Sequence, residues 1–243
     1  MKTQLAIDRG NTLTKLSVSD GKNFLEIRTA SDENLANEIA KLLSSYSIEK
    51  TIFSDVRDGY ANEEIKKLLP EPFLMVSHTL KLPFSISYTT PETIGHDRLA
   101  NMAGACTLRP GRNVLVIDFG TCTTYSLLIE NTFAGGSISP GRAMRYKALN
   151  VFTGKLPLIE PTFEQKHLLG TSTTGSILSG VDNATVLETD AMISAYRNDY
   201  SRLDVIITGG DYSFFENSLK SATFAEPQLT QIGLHEILRQ NIH

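Results

Sequence analysis

Leu5-Ala6-Ile7-Asp8-Arg9-Gly10-Asn11-Thr12 returns in the second half of the chain as Leu115-Val116-Ile117-Asp118-Phe119-Gly120-Thr121-Cys122. Each copy is an apolar run ending in Asp-x-Gly, the pattern of a buried strand entering a tight turn. After each copy come a second β-like run (Leu13 to Val18, then Thr123 to Ile129), a polar turn (Asp20-Gly21, then Glu130-Asn131) and a third apolar run. Two hairpins are the expected outcome. Asp and Gly are common after strands, so such turns also arise by chance. The matching run before each and the hairpin after each favour a true repeat. Helical spacing follows in both halves, at Leu35, Ile39, Leu42 and Leu43 and over Arg142 to Phe152. Later strands are expected at Thr51-Ile52-Phe53-Ser54 and Val205-Ile206-Ile207-Thr208. Strands alternating with helices read as α/β.

Between the halves, Pro91 to Leu108 carries a helix-like apolar set (Leu99, Met102, Ala103, Cys106) and stops at the breaker Arg109-Pro110-Gly111. The expected domains are therefore 1–110 and 111–243. Hydrophobic residues at 41% and charged residues at 21% of the 243 suit a globular chain. With 23 basic and 27 acidic side chains the net charge is −4 and no Lys/Arg run appears, so neither nucleic acid nor a membrane surface is an expected partner. No apolar stretch approaches the roughly 18 residues that cross a bilayer. Met1-Lys2-Thr3-Gln4 leads into a short strand unlike a signal peptide, and Cys106 and Cys122 lack zinc or redox spacing. Both observations suggest the cytoplasm.

The Gly of each Asp-x-Gly turn lets backbone approach phosphate oxygens, and nearby N–H groups with Asn11, Thr12 or Thr121 can donate to them. A carboxylate there would repel phosphate unless a cation lies between, so Asp8 and Asp118 make sense as partners of Mg²⁺ or another metal ion. Lys15 can lie along the phosphates as a point charge, or stand as a solvated Lys on the outer face of a strand. No Walker loop and no Gly-x-Gly-x-x-Gly helix start are present, which disfavours P-loop and dinucleotide binding. A third turn, Thr208-Gly209-Gly210-Asp211, follows a late apolar strand. The duplicated unit looks like the nucleotide-binding plan of the superfamily of acetate and sugar kinases, heat-shock ATPases and actin, in which a turn like this third one lies against adenosine.

In Gly95-His96-Asp97-Arg98 an Asp and an Arg stand side by side at the expected first helical turn. Taken alone, the pair also fits a helix start, with Asp97 complementing the dipole and Arg98 in water. Together with Asp8-Arg9-Gly10-Asn11-Thr12 before it and Asp118-Phe119-Gly120-Thr121 after it, the chain resembles the type III pantothenate kinases, which carry these three elements in this order. Gly135 to Gly141 and Gly170 to Ile177 are also similar to family segments, so the resemblance runs from Asp8 to about Asp211. It implies that Asp97 is the general base toward the pantothenate hydroxyl. It implies that Tyr88, Gly95, His96, Asp97, Arg98 and Thr173 contact pantothenate. Asp8, Arg9, Gly10, Asn11, Thr12, Leu13, Thr14 and Lys15 with Thr121 would bind ATP, and Asp118 a monovalent cation, K⁺ or NH₄⁺, beside the Mg²⁺ that accompanies ATP. His96 departs from the small residue common in the family, as Cys122 does from Ala.

The implied fold is two ribonuclease-H-like (actin-like) α/β domains with ATP in the cleft between them, and the implied assembly is a homodimer. Two rival readings share the fold. One is a kinase acting on a sugar or small acid, against which Gly95-x-Asp97-Arg98 argues. The other is a non-catalytic, nucleotide-binding transcriptional accessory factor, against which intact Asp8, Asp97 and Asp118 argue.

Overall fold

The computed structural model describes residues 3–57, 61–162 and 167–242, so Met1 and Lys2 at the head of the expected first strand lie outside it. The chain divides into two compact units. The first comprises residues 1–111, 131–133 and 228–243, and the second residues 112–130 and 134–227.

In the first unit, β1 (Thr3–Arg9), β2 (Thr14–Ser19) and β3 (Phe24–Ala30) form the expected antiparallel run. With β4 (Ile48–Asp55) and β5 (Phe73–Met75) they make a sheet in the order β3-β2-β1-β4-β5. Central β1 is buried on both faces, so Leu5, Ala6 and Ile7 are all apolar and inaccessible to water. Helix α1 (Asp32–Ser45) turns Leu35, Ile39 and Leu42 inward at helical spacing, onto a core that includes Leu5, Ile7, Leu16, Val18 and Phe53. Helix α2 (Ala61–Leu68) and the two-residue strand β6 (Ser85–Ile86) follow.

The helix expected from Pro91 comes in two pieces. Pro91–Thr93 is a separate 3₁₀ turn, and α3 runs only over His96–Leu108, with Gly95 at its N-cap. Against α3 packs the last helix, named α8 in chain order (Leu229–Asn241), at a contact lined by glycine. A Cβ on Gly233 would lie 1.7 Å from the carbonyl oxygen of Ala100, and one on Gly104 2.4 Å from that of Leu229.

The second unit repeats the plan. β7 (Asn113–Phe119) pairs antiparallel with β8 (Cys122–Ile129) and parallel with β10 (Leu203–Thr208). β9 (Thr132–Pro140) and β11 (Phe224–Ala225) complete its sheet, in the order β11-β10-β7-β8-β9, while Thr132 and Phe133, which belong to the first unit, pair parallel with β6. Its helices are α4 (Arg142–Val151), α5 (Thr173–Leu178), α6 (Ala184–Asp199) and α7 (Tyr212–Ser218), with a π-helical turn at Ser179–Asn183 between α5 and α6.

The repeat is therefore structural as well as textual. Asp8, next to last in β1, has Lys15 opposite it on the hairpin partner and Ser54 on the parallel neighbour. Asp118 is placed alike, between Thr124 and Thr208. Among the described residues no helix is long and apolar enough to cross a membrane.

Candidate active site

The first Asp-x-Gly turn is built outward from β1. Asp8 Oδ1 accepts the Ser54 hydroxyl at 2.9 Å, so strand β4 fixes the carboxylate. Gly10 N–H closes the turn on the Leu13 carbonyl at 3.2 Å, and Asn11, Thr12 and Leu13 stand exposed beyond it. Alternation along the strand turns Arg9 the other way, into the unit. It is buried and paired with Asp55 at 3.3 Å and Asp32 at 3.4 Å. Burial alone would raise Asp32, but the Arg9 and Arg57 guanidinium groups hold its carboxyl below the usual range. Thr14 is fully buried at the start of β2, its Oγ1 without a hydrogen-bond partner among the described residues.

The second cluster sits at the start of α3. Asp97 folds back so that its Oδ1 accepts the N–H of Arg98 at 2.7 Å. A Cβ on Gly95 would lie 2.5 Å from that oxygen, so the glycine makes room for the carboxylate. Burial pushes the Asp97 carboxyl above its ordinary range, and the Arg98 N–H and charge draw it partly back. Arg98 is buried, not solvated, which removes the simple helix-start reading of the pair. Its guanidinium lies 5.2 Å from the ring centre of Phe133 and 6.0 Å from that of Tyr88, and the two rings stack at 5.7 Å. His96 places Nδ1 in a buried position with no partner among the described residues.

The second unit brings two glycine turns to Asp118. Gly209 has φ +94°, and a Cβ there would come within 2.5 Å of Asp118 Oδ1. Asp211 N–H donates to the Phe119 carbonyl at 3.0 Å, and Gly141 N–H to that of Thr121 at 3.1 Å. The turns at 118–121 and 208–211, separate in sequence, thus meet at the Asp118 carboxylate, and Gly141, just after β9, packs on the backbone of Gly120 and Thr121. Thr173 opens α5 next to Ser172, whose hydroxyl caps the helix by accepting Gly175 N–H at 3.0 Å.

Arg142, to which the sequence reading gave no part, ties this region together. Fully buried at the start of α4, it pairs with Asp182 in the π turn at 3.0 Å and with Asp211 at 3.3 Å. It also donates to the Thr162 carbonyl at 2.7 Å and covers the Phe214 ring at 3.7 Å. A signal existed: a cation at the first position of a helix opposes the dipole, so it needs partners elsewhere.

The donor set suits hard cations. Asp8 and Asp118 each offer a carboxylate oxygen from the next-to-last position of a central strand. Among the described residues no three His, Cys, Asp or Glu side chains cluster to form an all-protein metal cage. Two surface cavities, of about 320 and about 260 Å³, are lined around Thr107, Glu236 and Arg239 and touch none of these residues.

The family model described as type III pantothenate kinase matches residues 4–195. The type III pantothenate kinase of Cytophaga hutchinsonii is 40% identical over 242 residues, covering 98% of this chain and 99% of its own. Among solved structures, a Campylobacter jejuni protein assigned to the Baf family of transcriptional activators aligns with a TM-score of 0.64 at 19% identity, over 97% of each chain. A glucokinase from an Antarctic psychrotroph aligns at 0.52 and 13%, over 98% of this chain and 99% of its own. At such identities the structures support the fold alone, the two-domain actin-like architecture.

Proposed function

The chain belongs to the type III pantothenate kinase family, and we propose that it transfers the γ-phosphoryl group of ATP to pantothenate with Asp97 as general base. The reaction opens coenzyme A biosynthesis. The observation that carries the residue assignment is the half-buried Asp97 carboxylate beside an arginine held over two aromatic rings.

In the proposed reaction the hydroxyl oxygen of pantothenate forms a bond to the γ-phosphorus as the bond to the β–γ bridging oxygen breaks. ADP leaves, and the hydroxyl proton passes to Asp97. Phosphoryl transfer asks the protein chiefly for alignment and charge, with the proton taken late. Arg98 presents a planar fork suited to the pantothenate carboxylate, oriented by Tyr88 and Phe133, with Gly95, His96 and Thr173 as further contacts. The Asp8-to-Lys15 turn and Thr121 would receive the nucleotide. Asp8 and Asp118 would hold Mg²⁺ and a monovalent cation, K⁺ or NH₄⁺, which when bound neutralise charge on the phosphates.

The same proposal places the enzyme in the cytoplasm, where ATP is supplied, as a homodimer. Neither the sugar-kinase reading nor the accessory-factor reading is favoured by the family assignment. The test is ADP release by the purified protein with ATP, Mg²⁺ and K⁺, offered pantothenate, several sugars, acetate or no acceptor. Release that depends on pantothenate and collapses in Asp97→Asn is the expected result. Release driven by a sugar, or silence with every acceptor, would overturn it.

A further inference from the structure

The turn that the proposed function gives to ATP is braced from behind by a residue with no assigned part in it. Arg57 follows β4, and its Nε donates to the Gly10 carbonyl at 2.7 Å. Its Nη1 pairs with Asp32, and its backbone N–H donates to Asp55 Oδ1 at 2.8 Å. Asp32 and Asp55 are the same carboxylates that hold Arg9, so the guanidinium is anchored at its far side as well as at the turn.

What this grip does follows from peptide geometry. A peptide unit is planar and trans, so its C=O and N–H point opposite ways. The Arg9–Gly10 unit is spent inside the protein: Arg9 carbonyl accepts Val56 N–H, and Gly10 N–H reaches the Leu13 carbonyl, both at 3.2 Å. In the next unit Arg57 holds the Gly10 carbonyl inward, which aims the Asn11 N–H outward along the exposed Asn11–Leu13 stretch. Outward N–H groups in such turns are what cradle phosphate. Glycine admits phosphate closely but is also the residue freest to rotate, so a turn built on Gly10 needs an external clamp to hold one peptide orientation.

We propose that Arg57 is a positioning residue for ATP, fixing the Gly10–Asn11 peptide so that the Asn11 N–H faces the nucleotide phosphates. The inference rests on the reading of the Asp8-to-Lys15 turn as the phosphate site. It also predicts that charge alone is not enough. The planar fork reaches the Gly10 carbonyl and Asp32 from two nitrogens held in fixed relation, which the three rotatable donors of a lysine ammonium, all on one nitrogen, do not reproduce.

The experiment compares steady-state kinetics of the full-length enzyme with those of Arg57→Lys, Arg57→Met and Lys15→Met, each checked for a wild-type melting curve. Both Arg57 variants are expected to raise KM for ATP about tenfold, the size of one lost charge-assisted hydrogen bond. KM for pantothenate and kcat should stay within about twofold, a split that general loosening of the unit would not give. If Arg57→Lys matches the parent, or if both substrates and kcat suffer together, the proposal is overturned. Lys15→Met separates the two layers. A raised KM for ATP there with normal Arg57 variants sinks the clamp alone, whereas a normal Lys15→Met sinks the phosphate-site reading and the clamp with it. Should Arg57→Met melt early, Arg57→Lys, which keeps the charge beside Asp32, still decides the matter.

Discussion

Asp97 must be ionised to accept a proton, yet it is partly buried, and that burial pushes its carboxyl above the usual range. A carboxyl whose folded pKa exceeds its unfolded value costs the folded state stability above the folded pKa and nothing below the unfolded one. Asp97→Asn keeps the Oδ1 acceptor for the Arg98 N–H and removes that cost. It should therefore melt later than the parent at neutral pH, with the gain fading in acid, while kcat falls about 10²–10⁴-fold. Melting curves at two pH values with steady-state rates check both halves, and a variant that turns over pantothenate normally would rule out the base. For the parent, kcat/KM should fall as pH drops through the raised Asp97 pKa, a limb that a pH–rate profile would locate. The Asp97-Arg98 pair was legible in the sequence as a motif. That Arg98 is buried over Phe133 was not, because the ring comes from β9 and only the fold brings it near.

Two glycines at element junctions carry tests of their own. Gly233 lets α8 touch α3 backbone to backbone, and a Cβ there would collide with the Ala100 carbonyl. Gly233→Ala must push the helices apart, an overpacking cost of about 1–3 kcal/mol or more, read as a lower melting temperature. An unchanged midpoint would mean the helices do not cross so closely. Gly209 combines φ +94° with the approach to Asp118, so Ala there is strained and displaces the carboxylate. Gly209→Ala should raise KM for ATP and blunt activation by K⁺, measured across a KCl series, and an intact K⁺ response would remove Asp118 from the cation site. The strands of both hairpins were readable from short apolar runs bounded by turn residues. The first turn of α3 at Asp97-Arg98 was readable too, whereas the break that makes Pro91–Thr93 a separate 3₁₀ turn was not, since Pro suits the first position of either kind of helix.

For the molecule as a whole, the homodimer is a matter for sedimentation. Phe152, Leu168 and Leu169 are 85%, 76% and 79% exposed, unusual for large apolar side chains that have no partner surface to cover them. The enzyme is expected to sediment as a dimer at micromolar concentration and Phe152→Asp to shift it toward monomer; a parent that sediments as a monomer would end the dimer reading.

The sequence by itself determined the duplicated strand–turn–hairpin plan and the residues at its turns, because short apolar runs and Asp-x-Gly punctuation are local properties of the chain. Tertiary structure alone decided what is non-local. It set Thr230 of α8 against Asn101 of α3 with 129 positions between them, and brought Gly209, Gly120 and Asp118 to one point. It also placed Arg57 and Arg142 behind turns that their neighbours in sequence do not form. Such contacts depend on which strands lie side by side, and strand order is set by burial of the whole core, not by any one segment.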